Sequence, residues 1–589
     1  MDPAGVVEAN QVIQNAFSVI SVLNLTADSL PKPAVVSDGA CYDYVVVGGG
    51  SAGCVLASRL SELRGVQVLL IEAGPLTPFE ATVPKLLYHL PKSRYDWNYT
   101  TEDDGYVAQA IKDKVLALTR GKVLGGSSAI NAMLYVRGAT HDFDSWAASI
   151  GDSRWNYTNV LPFFIKSEKL RDRIVQHSRY STFHGSKGYM GVTRQPDAAN
   201  EEYLNMFKEL GNRLLLDING RDNIGFTQPM YTILDGRRQD TAYAFLSPVK
   251  RRCNLHVLTD TLVMEIIFDD NNRAVGVRAL TKQNRLITVR AKREIILSAG
   301  TFNSPQLLML SGMGPKEHLQ DMNLTVRVNL PVGENLQDHP VTPLFYDLEK
   351  ERPIPSRQDP GLFPTRIVMG FGTLNSSQTY GDYQTIVNSR LSVEAALTIC
   401  TLKFSINDTI CKSLFEKVKG KVLLSVWVVT LHAKSRGRVM LRTSNPKDPP
   451  IIISGYYSND LDLQNQIKYV KDISRITKSS YFKRVRGKML LPSLPQCDRM
   501  KRFSDEYWRC YALAMIGTVY HFSSTCAIGR VVDAELRVRG VSGLRVVDAS
   551  VMPTVTSGNI NAPTIMIGEM AAEFIKKVYR SEEKNNHCK

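Results

Sequence analysis

Tyr42-Asp-Tyr-Val-Val-Val-Gly-Gly-Gly-Ser-Ala-Gly-Cys-Val-Leu-Ala-Ser-Arg-Leu60, followed by Val66-Gln-Val-Leu-Leu-Ile-Glu-Ala-Gly74, decides the fold. The β-branched run Val45 to Val47 predicts a strand buried on both faces, and Gly48-x-Gly50-x-x-Gly53 follows it with no spacer. In such a loop Gly48 serves the tight turn, Gly50 lets the backbone come close to a pyrophosphate, and Gly53 lets the next helix lie against the strand. Ser51 and Ala52 stand where that helix opens and its free amides face phosphate. The second strand, Val66 to Ile71, ends on Glu72, whose carboxylate can accept hydrogen bonds from an adenosine ribose. Glycines alone could make a turn in an ordinary α/β core. Strand, glycines, helix and terminal acid in this order predict a dinucleotide-binding β-α-β unit.

Other segments read as parts of the same sheet. Glu294 to Gly300 is a second buried strand pattern, running into Thr301 to Leu310 with Pro305 near a helix start. Leu544 to Asp548 is a further buried strand, while Leu255 to Phe268 and Val275 to Val289 alternate like antiparallel strands. Residues 340 to 510 differ: they mix Pro-rich loops, strands such as Val422 to Leu431 and Val439 to Leu441, and a polar helical stretch around Leu461 to Lys478. The expected fold is α/β with an α+β second lobe. It comprises a Rossmann-like domain assembled from discontinuous segments and an antiparallel-sheet substrate domain. The expected divisions are a leader and linker at 1–40, a mainly nucleotide-binding region at 41–339, a mainly substrate-binding region at 340–510, a return at 511–580, and a tail at 581–589.

At 589 residues the chain is too long for one compact core. Its 43% hydrophobic and 22% charged content suits a globular protein, and no segment gives eighteen uninterrupted apolar residues. The net charge of +15, from 72 basic and 57 acidic residues, is scattered and accompanies no nucleic-acid motif, so it reads as solvated surface. Nine cysteines contain no Cys-x-x-Cys pair, which argues against a metal centre or a redox dithiol. Cys400 with Cys411, or Cys497 with Cys510, could form local disulfides in a secreted chain. Ala16 to Leu25 resembles a short signal-peptide core without the usual basic residues before it, and six glycosylation sequons (Asn24, Asn98, Asn156, Asn323, Asn375, Asn407) are only slightly more than composition alone would yield. Secretion is favoured over an intracellular location, and the oligomeric state is not legible.

No second strand-Gly-x-Gly-x-x-Gly unit follows, so one dinucleotide is bound and the electrons come from another substrate. Resident FAD and transient NAD both remain open on these residues.

Gly121-Lys-Val-Leu-Gly-Gly-Ser-Ser-Ala-Ile-Asn131, with Tyr135 and Gly138 beyond it, resembles a signature of the glucose-methanol-choline (GMC) oxidoreductases. A second signature follows as Gly300-Thr-Phe-Asn-Ser-Pro-Gln-Leu-Leu-Met-Leu-Ser-Gly-Met-Gly314. Gly333-Glu-Asn-Leu-Gln-Asp-His-Pro340 is similar to the family's passage into the substrate lobe, and Ser557-Gly-Asn-Ile-Asn-Ala-Pro-Thr-Ile-Met-Ile-Gly568 to its closing motif. The resemblance covers roughly residues 41 to 580 in the style of the insect branch, and it implies FAD. Gly125, Gly126, Ser127 and Ser128 would bring backbone and small donors to the cofactor, with Asn131 nearby. A helix turn capped by serines explains the hydroxyls but not the double glycine. Asp548 and Ala549 would meet the pyrophosphate-ribityl region, Val263 the adenine, and Pro563 and Thr564 would complete the site; Asp548 could equally cap a turn. Residues 117 to 124 contain no histidine of the kind that attaches flavin in some relatives, so noncovalent FAD is expected.

Alcohol oxidation requires the hydroxyl proton to leave and the carbon to be held against the oxidant, and histidine is the natural proton acceptor. Among ten histidines, His521 matches the family's catalytic position, with Thr525 and Gly529 behind it; His339 reads as structural. The second active-site position falls on Asn561, with Asn559 the nearby alternative, though turn chemistry explains either asparagine. Relatives carry glycine just before the position of Thr525 where this chain has Ser523 and Ser524; if that glycine serves close approach to flavin, Ser524 crowds it. The resemblance therefore implies FAD-dependent oxidation of a CH–OH group, with oxygen or a quinone as acceptor. An ecdysteroid-like hydrophobic alcohol is favoured, and glucose is the other candidate. An NAD-dependent dehydrogenase and a flavin-binding relative without turnover are the competing classes.

Overall fold

The computed structural model describes residues 2–20, 23 and 25–587, with side chains described up to 583; the Asn24 sequon and Cys588 lie outside the described residues. Cys41–Val47 is the central strand that the Val45–Val47 run predicts, and the helix Gly53–Leu60 returns directly behind it. It lies in a seven-stranded sheet whose order is Leu255–Leu258, Val68–Ile71, Cys41–Val47, Leu286–Leu297, Ala274–Leu280, Leu262–Phe268, with Leu544–Val546 paired to Leu286–Leu297. The strands Leu255–Leu258, Val68–Ile71, Cys41–Val47, the end of Leu286–Leu297 and Leu544–Val546 are parallel neighbours, and they bring the ends of five distant segments to one edge.

Two strand assignments change. Leu255 to Phe268 is broken at Asp260, whose φ is +51°, and its first half is a parallel edge strand rather than part of an antiparallel pair. Val275 to Val289 is likewise interrupted by a polar turn closed by Thr281 N–H on the Arg285 carbonyl at 3.0 Å, after which one strand runs unbroken to Leu297.

The glycines fix the layer spacing. A Cβ at Gly53 would lie 1.9 Å from the Gly48 carbonyl oxygen, so only hydrogen fits where helix meets strand. The C-terminal helix Asn561–His587 packs on Gly53–Leu60, with Gly568 allowing the approach and a buried Arg59–Glu569 ion pair at 2.8 Å clamping it. That pair bridges the opening motif and the closing one.

The second lobe carries another seven-stranded sheet, antiparallel throughout: Gly487–Leu490, Pro340–Leu348, Leu423–Thr430, Tyr383–Leu391, Arg366–Gly372 and Gly225–Thr227 in that order, with Gly517–Thr518 beside Pro340–Leu348. Its four longest strands are buried almost throughout, because helices cover the far face. One is Asp460–Ser474, docked through Gln466 Nε2, which donates to the Val428 carbonyl at 3.0 Å and Thr342 Oγ1 at 2.8 Å. Disulfides join Cys400 to Cys411 and Cys497 to Cys510. Part of the stretch expected to be a leader is a helix, Pro3–Ile20, held by Gln14 Nε2 donating to the His89 and Pro91 carbonyls at 2.9 and 3.0 Å. Among the described residues no helix is long and apolar enough to cross a membrane, and no cluster of three His, Cys, Asp or Glu could hold a metal ion.

Candidate active site

A single cavity runs between the two sheets, and the Gly48 loop forms one part of its wall. Gly48, Gly50, Ser51, Ala52, Glu72 and Val263 line it, as do Gly126, Ser127, Asn131, Asp548, Ala549 and Thr564. Four residues expected at the cofactor stand behind this wall. Gly53 packs helix on strand, and Gly125, with φ of +94°, donates its N–H to the Gly49 carbonyl at 2.7 Å. Ser128 donates its hydroxyl to the Gly125 carbonyl at 2.5 Å, and Pro563 sits in the first turn of the C-terminal helix. The two glycine loops thus touch: a Cβ on Gly126 would lie 2.6 Å from the Gly50 Cα.

A dinucleotide fits these walls. A Cβ on Gly50 would meet nothing in the protein closer than the Gly126 Cα at 3.8 Å, so its bareness serves what lies in the cavity, not protein packing. Among the described residues the Gly50 and Ser51 amides donate to no protein acceptor, and the buried Ser298 hydroxyl, also in the wall, has no partner. Glu72 accepts from the Gly49 amide and the Gly74 amide, both at 2.8 Å, which holds the loop in shape; burial nonetheless pushes its carboxyl up to about 7. Asp548 ties the strand end to the next helix, its Oδ2 accepting from the Gly300 amide at 2.9 Å and from Ser304 Oγ at 2.6 Å.

At the reacting end, His521 is buried and lines the same cavity. Its backbone N–H donates to Asp338 Oδ1 at 2.7 Å, and Asp338 Oδ2 also accepts from the hydroxyls of Thr518 and Tyr456. Asn559 Nδ2 donates to His521 Nε2 at 3.0 Å. Asn561 is placed differently: it opens the C-terminal helix, and its Oδ1 accepts from Ser51 Oγ at 2.7 Å, on the dinucleotide loop. The residue brought to His521 is therefore Asn559. His339 touches the base too, its Nδ1 lying 2.9 Å from His521 Nδ1 with the rings nearly perpendicular at 88°. Burial, followed by His339, Arg120 and Lys403, holds the His521 imidazole well below the usual histidine value. Arg120 Nη2 donates to the Tyr520 carbonyl at 2.8 Å, and Lys403 Nζ to the Thr518 carbonyl at 2.9 Å; burial pulls that ammonium down to about 7.

Ser524 lies outside the cavity wall. It is fully buried, its hydroxyl is 3.0 Å from that of Ser523, and its φ is +75°. A glycine at this position serves the left-handed backbone, so the serine carries strain and does not obstruct the cavity. Sequence reasoning missed Asp338, Arg120, Lys403 and the active placement of His339, although the Asn-Leu-Gln-Asp-His-Pro motif held two of them.

A glycine-lined cradle that fits a dinucleotide and a buried histidine share one cavity, an arrangement suited to an oxidoreductase. The GMC oxidoreductase family matches over residues 42–341 and 433–568. Ecdysone oxidase of Spodoptera littoralis is 38% identical over 95% of this chain and 95% of that protein, and glucose dehydrogenase [FAD, quinone] of Drosophila melanogaster 34% over 91% and 87%. Among solved structures, formate oxidase of Aspergillus oryzae superposes with a TM-score of 0.79 at 26% identity, covering 93% of this chain and all of that one. The chain belongs to the GMC oxidoreductase family, and its activity is FAD-dependent oxidation of an alcohol.

Proposed function

We propose that His521 is the base, that Asn559 orients the substrate oxygen, and that the substrate is a hydrophobic secondary alcohol of the ecdysteroid type. The observation that carries this reading is the 3.0 Å contact from Asn559 Nδ2 to His521 Nε2 in the wall of the cavity that the dinucleotide loop also lines. An alcohol oxygen entering between them accepts from the Asn559 amide and gives its proton to His521 Nε2, so the direct contact marks the place the hydroxyl takes. FAD, when bound, would supply the acceptor for the hydride, the C–H hydrogen nucleus leaving with its bonding electron pair. Gly50, Ser51, Gly126 and Glu72 would hold it, noncovalently.

The remaining wall favours an apolar ligand: Leu87, Tyr88, Trp97, Phe363, Ile386 and Trp427 line it, a surface suited to a fused-ring skeleton rather than a sugar. The 38% identity to a protein named ecdysone oxidase, against 34% to a glucose dehydrogenase, points the same way. The two disulfides support an oxidising compartment, hence secretion. Anaerobic mixing of the purified yellow protein with steroid, sugar and simple alcohols, then re-oxidation by oxygen or a quinone, tests substrate and acceptor together. Bleaching by glucose but by no steroid alcohol would refute the substrate class, and no bleaching by any alcohol would favour a relative without turnover.

A further inference from the structure

We propose that His339 is a positioning residue of the oxidising site: its Nδ1 accepts the Nδ1–H of His521 and so leaves the His521 Nε2 lone pair facing the substrate cavity. The inference rests on the reading of His521 as base. Its grounds are a chain of hydrogen bonds in which each member leaves the next one choice. Met369 Sδ can only accept, so the amide nitrogen of Gln384, 3.0 Å away, must face it. The same nitrogen lies 3.3 Å from Asn559 Oδ1, which fixes that amide with its oxygen towards Gln384 and its nitrogen towards His521. Asn559 Nδ2 then donates at 3.0 Å to His521 Nε2, which must be the unprotonated nitrogen. A neutral imidazole carries its proton on the other nitrogen, and the group facing it is His339 Nδ1 at 2.9 Å. His339 accepts there and keeps its own proton on Nε2, where the Leu431 carbonyl is the group that favours a proton, although Nε2 reaches no partner at full hydrogen-bond distance.

The arrangement resembles the orienting acid of a nucleophile-base-acid triad with one difference: the orienting group is neutral. His339 is completely buried, and burial pulls its imidazole down to about 3, so it does not become a competing cation. When the alcohol O–H bond breaks and the proton bonds to His521 Nε2, the new imidazolium keeps its Nδ1–H on His339 and that hydrogen bond becomes charge-assisted. The proton stays on His521, the ring cannot rotate, and the accepting lone pair is ready on every turnover.

Two variants separate the acceptor role from packing. His339→Leu fills the space but accepts nothing, whereas His339→Asn can place an amide oxygen near the position of Nδ1. In FAD-loaded protein mixed anaerobically with a substrate alcohol, His339→Leu should lower the limiting rate of flavin bleaching by about 100-fold, within the range general base catalysis supplies. Its substrate Kd should stay within about 3-fold and the acid limb of its pH profile should move, while His339→Asn recovers to within about 10-fold of wild type with the native profile. A His339→Leu enzyme with wild-type rate and pH profile, or equal damage in both variants, overturns the proposal. If the leucine variant fails to hold flavin, a folded, flavin-loaded His339→Asn enzyme slowed by 100-fold or more overturns it instead. A His521→Ala control keeps the two readings apart. Normal bleaching in that variant removes the base itself, while a dead His521→Ala beside an unaffected His339→Leu removes only the positioning role.

Discussion

Replacing Gly50 by alanine separates what the protein needs from what the cofactor needs. The φ of Gly50 lies outside the left-handed region, and an added Cβ meets only the Gly126 Cα, at an ordinary 3.8 Å. In the cofactor-free protein the change should therefore be harmless, or stabilise by about 0.4–1 kcal/mol, because alanine has less freedom to lose on folding. The cofactor-loaded protein should behave oppositely. The methyl group stands where backbone must approach a pyrophosphate, and losing one charge-assisted hydrogen bond costs about 1.5–3 kcal/mol, which is about 10- to 150-fold in FAD affinity. The rise in melting temperature on adding FAD should shrink accordingly, since ligand stabilisation follows RT ln(1 + [L]/Kd). Gly53→Ala is the control: its Cβ would lie 1.9 Å from the Gly48 oxygen, so the cofactor-free protein itself should melt early. Titration of stripped protein with FAD, followed by quenching of flavin fluorescence, measures the affinity, and thermal melts with and without FAD measure the stability. A cofactor-free Gly50→Ala protein that melts far below wild type, or one that binds FAD with unchanged affinity, would refute the assignment of Gly50 to the cofactor.

Ser524→Gly should raise stability by about 1 kcal/mol without changing the rate of flavin bleaching, because the φ of +75° is relieved and the residue lies outside the cavity wall. Removing the Cys400–Cys411 bridge, whose cysteines are separated by 11 residues, should cost about 3 kcal/mol by chain entropy, read as a lower denaturant midpoint for Cys411→Ser. The resting His521 imidazole is held below its ordinary value, so it is unprotonated at neutral pH and charges only well into acid. The limiting bleaching rate should then be flat from neutral pH down through 6.5, and a fall centred at or above 6.5 would contradict the neutral base.

How much of this was legible depends on how local each device is. The dinucleotide unit occupies residues 42 to 74, every member touches the next, and strand, turn glycines and terminal acid were readable in order. The choice between Asn559 and Asn561 was not, because it depends on where a helix starts. The helix begins at Asn561, which turns that side chain towards Ser51, while Asn559 stays in the preceding loop beside Gly558, whose φ is +119°. His339 reads as structural for a similar reason: it is 182 residues from His521 in the chain, and only the pairing of Pro340 with Thr518 inside the second-lobe sheet brings the rings together. Ser524 looked like an obstruction because sequence shows which residue replaces a glycine but not whether that glycine served space or backbone angle. The continuous strand Leu286–Leu297 was divided in the reading because its exposed first half alternates while its end is buried on both faces.

The electrostatics of the base follow from the same assembly. A general base in an enclosed site must be free of its proton before substrate arrives, yet able to take one during the reaction. The Arg120 guanidinium in the cavity wall and, to the extent that it is protonated, the Lys403 ammonium oppose resting protonation of His521, and the neutral His339 adds no negative charge to favour it. Asp338 accepts from the backbone of His521 rather than from the ring, so it fixes the loop without acting as an orienting carboxylate. Burial raises the carboxyl of Asp338 above its ordinary value, weakening it further as a counter-charge. Proton affinity at Nε2 can therefore rise mainly when negative charge develops on the substrate oxygen held beside it. A carboxylate in place of His339 would charge the histidine at rest and remove that dependence. A neutral orienting partner thus suits a base whose task is to respond to the substrate.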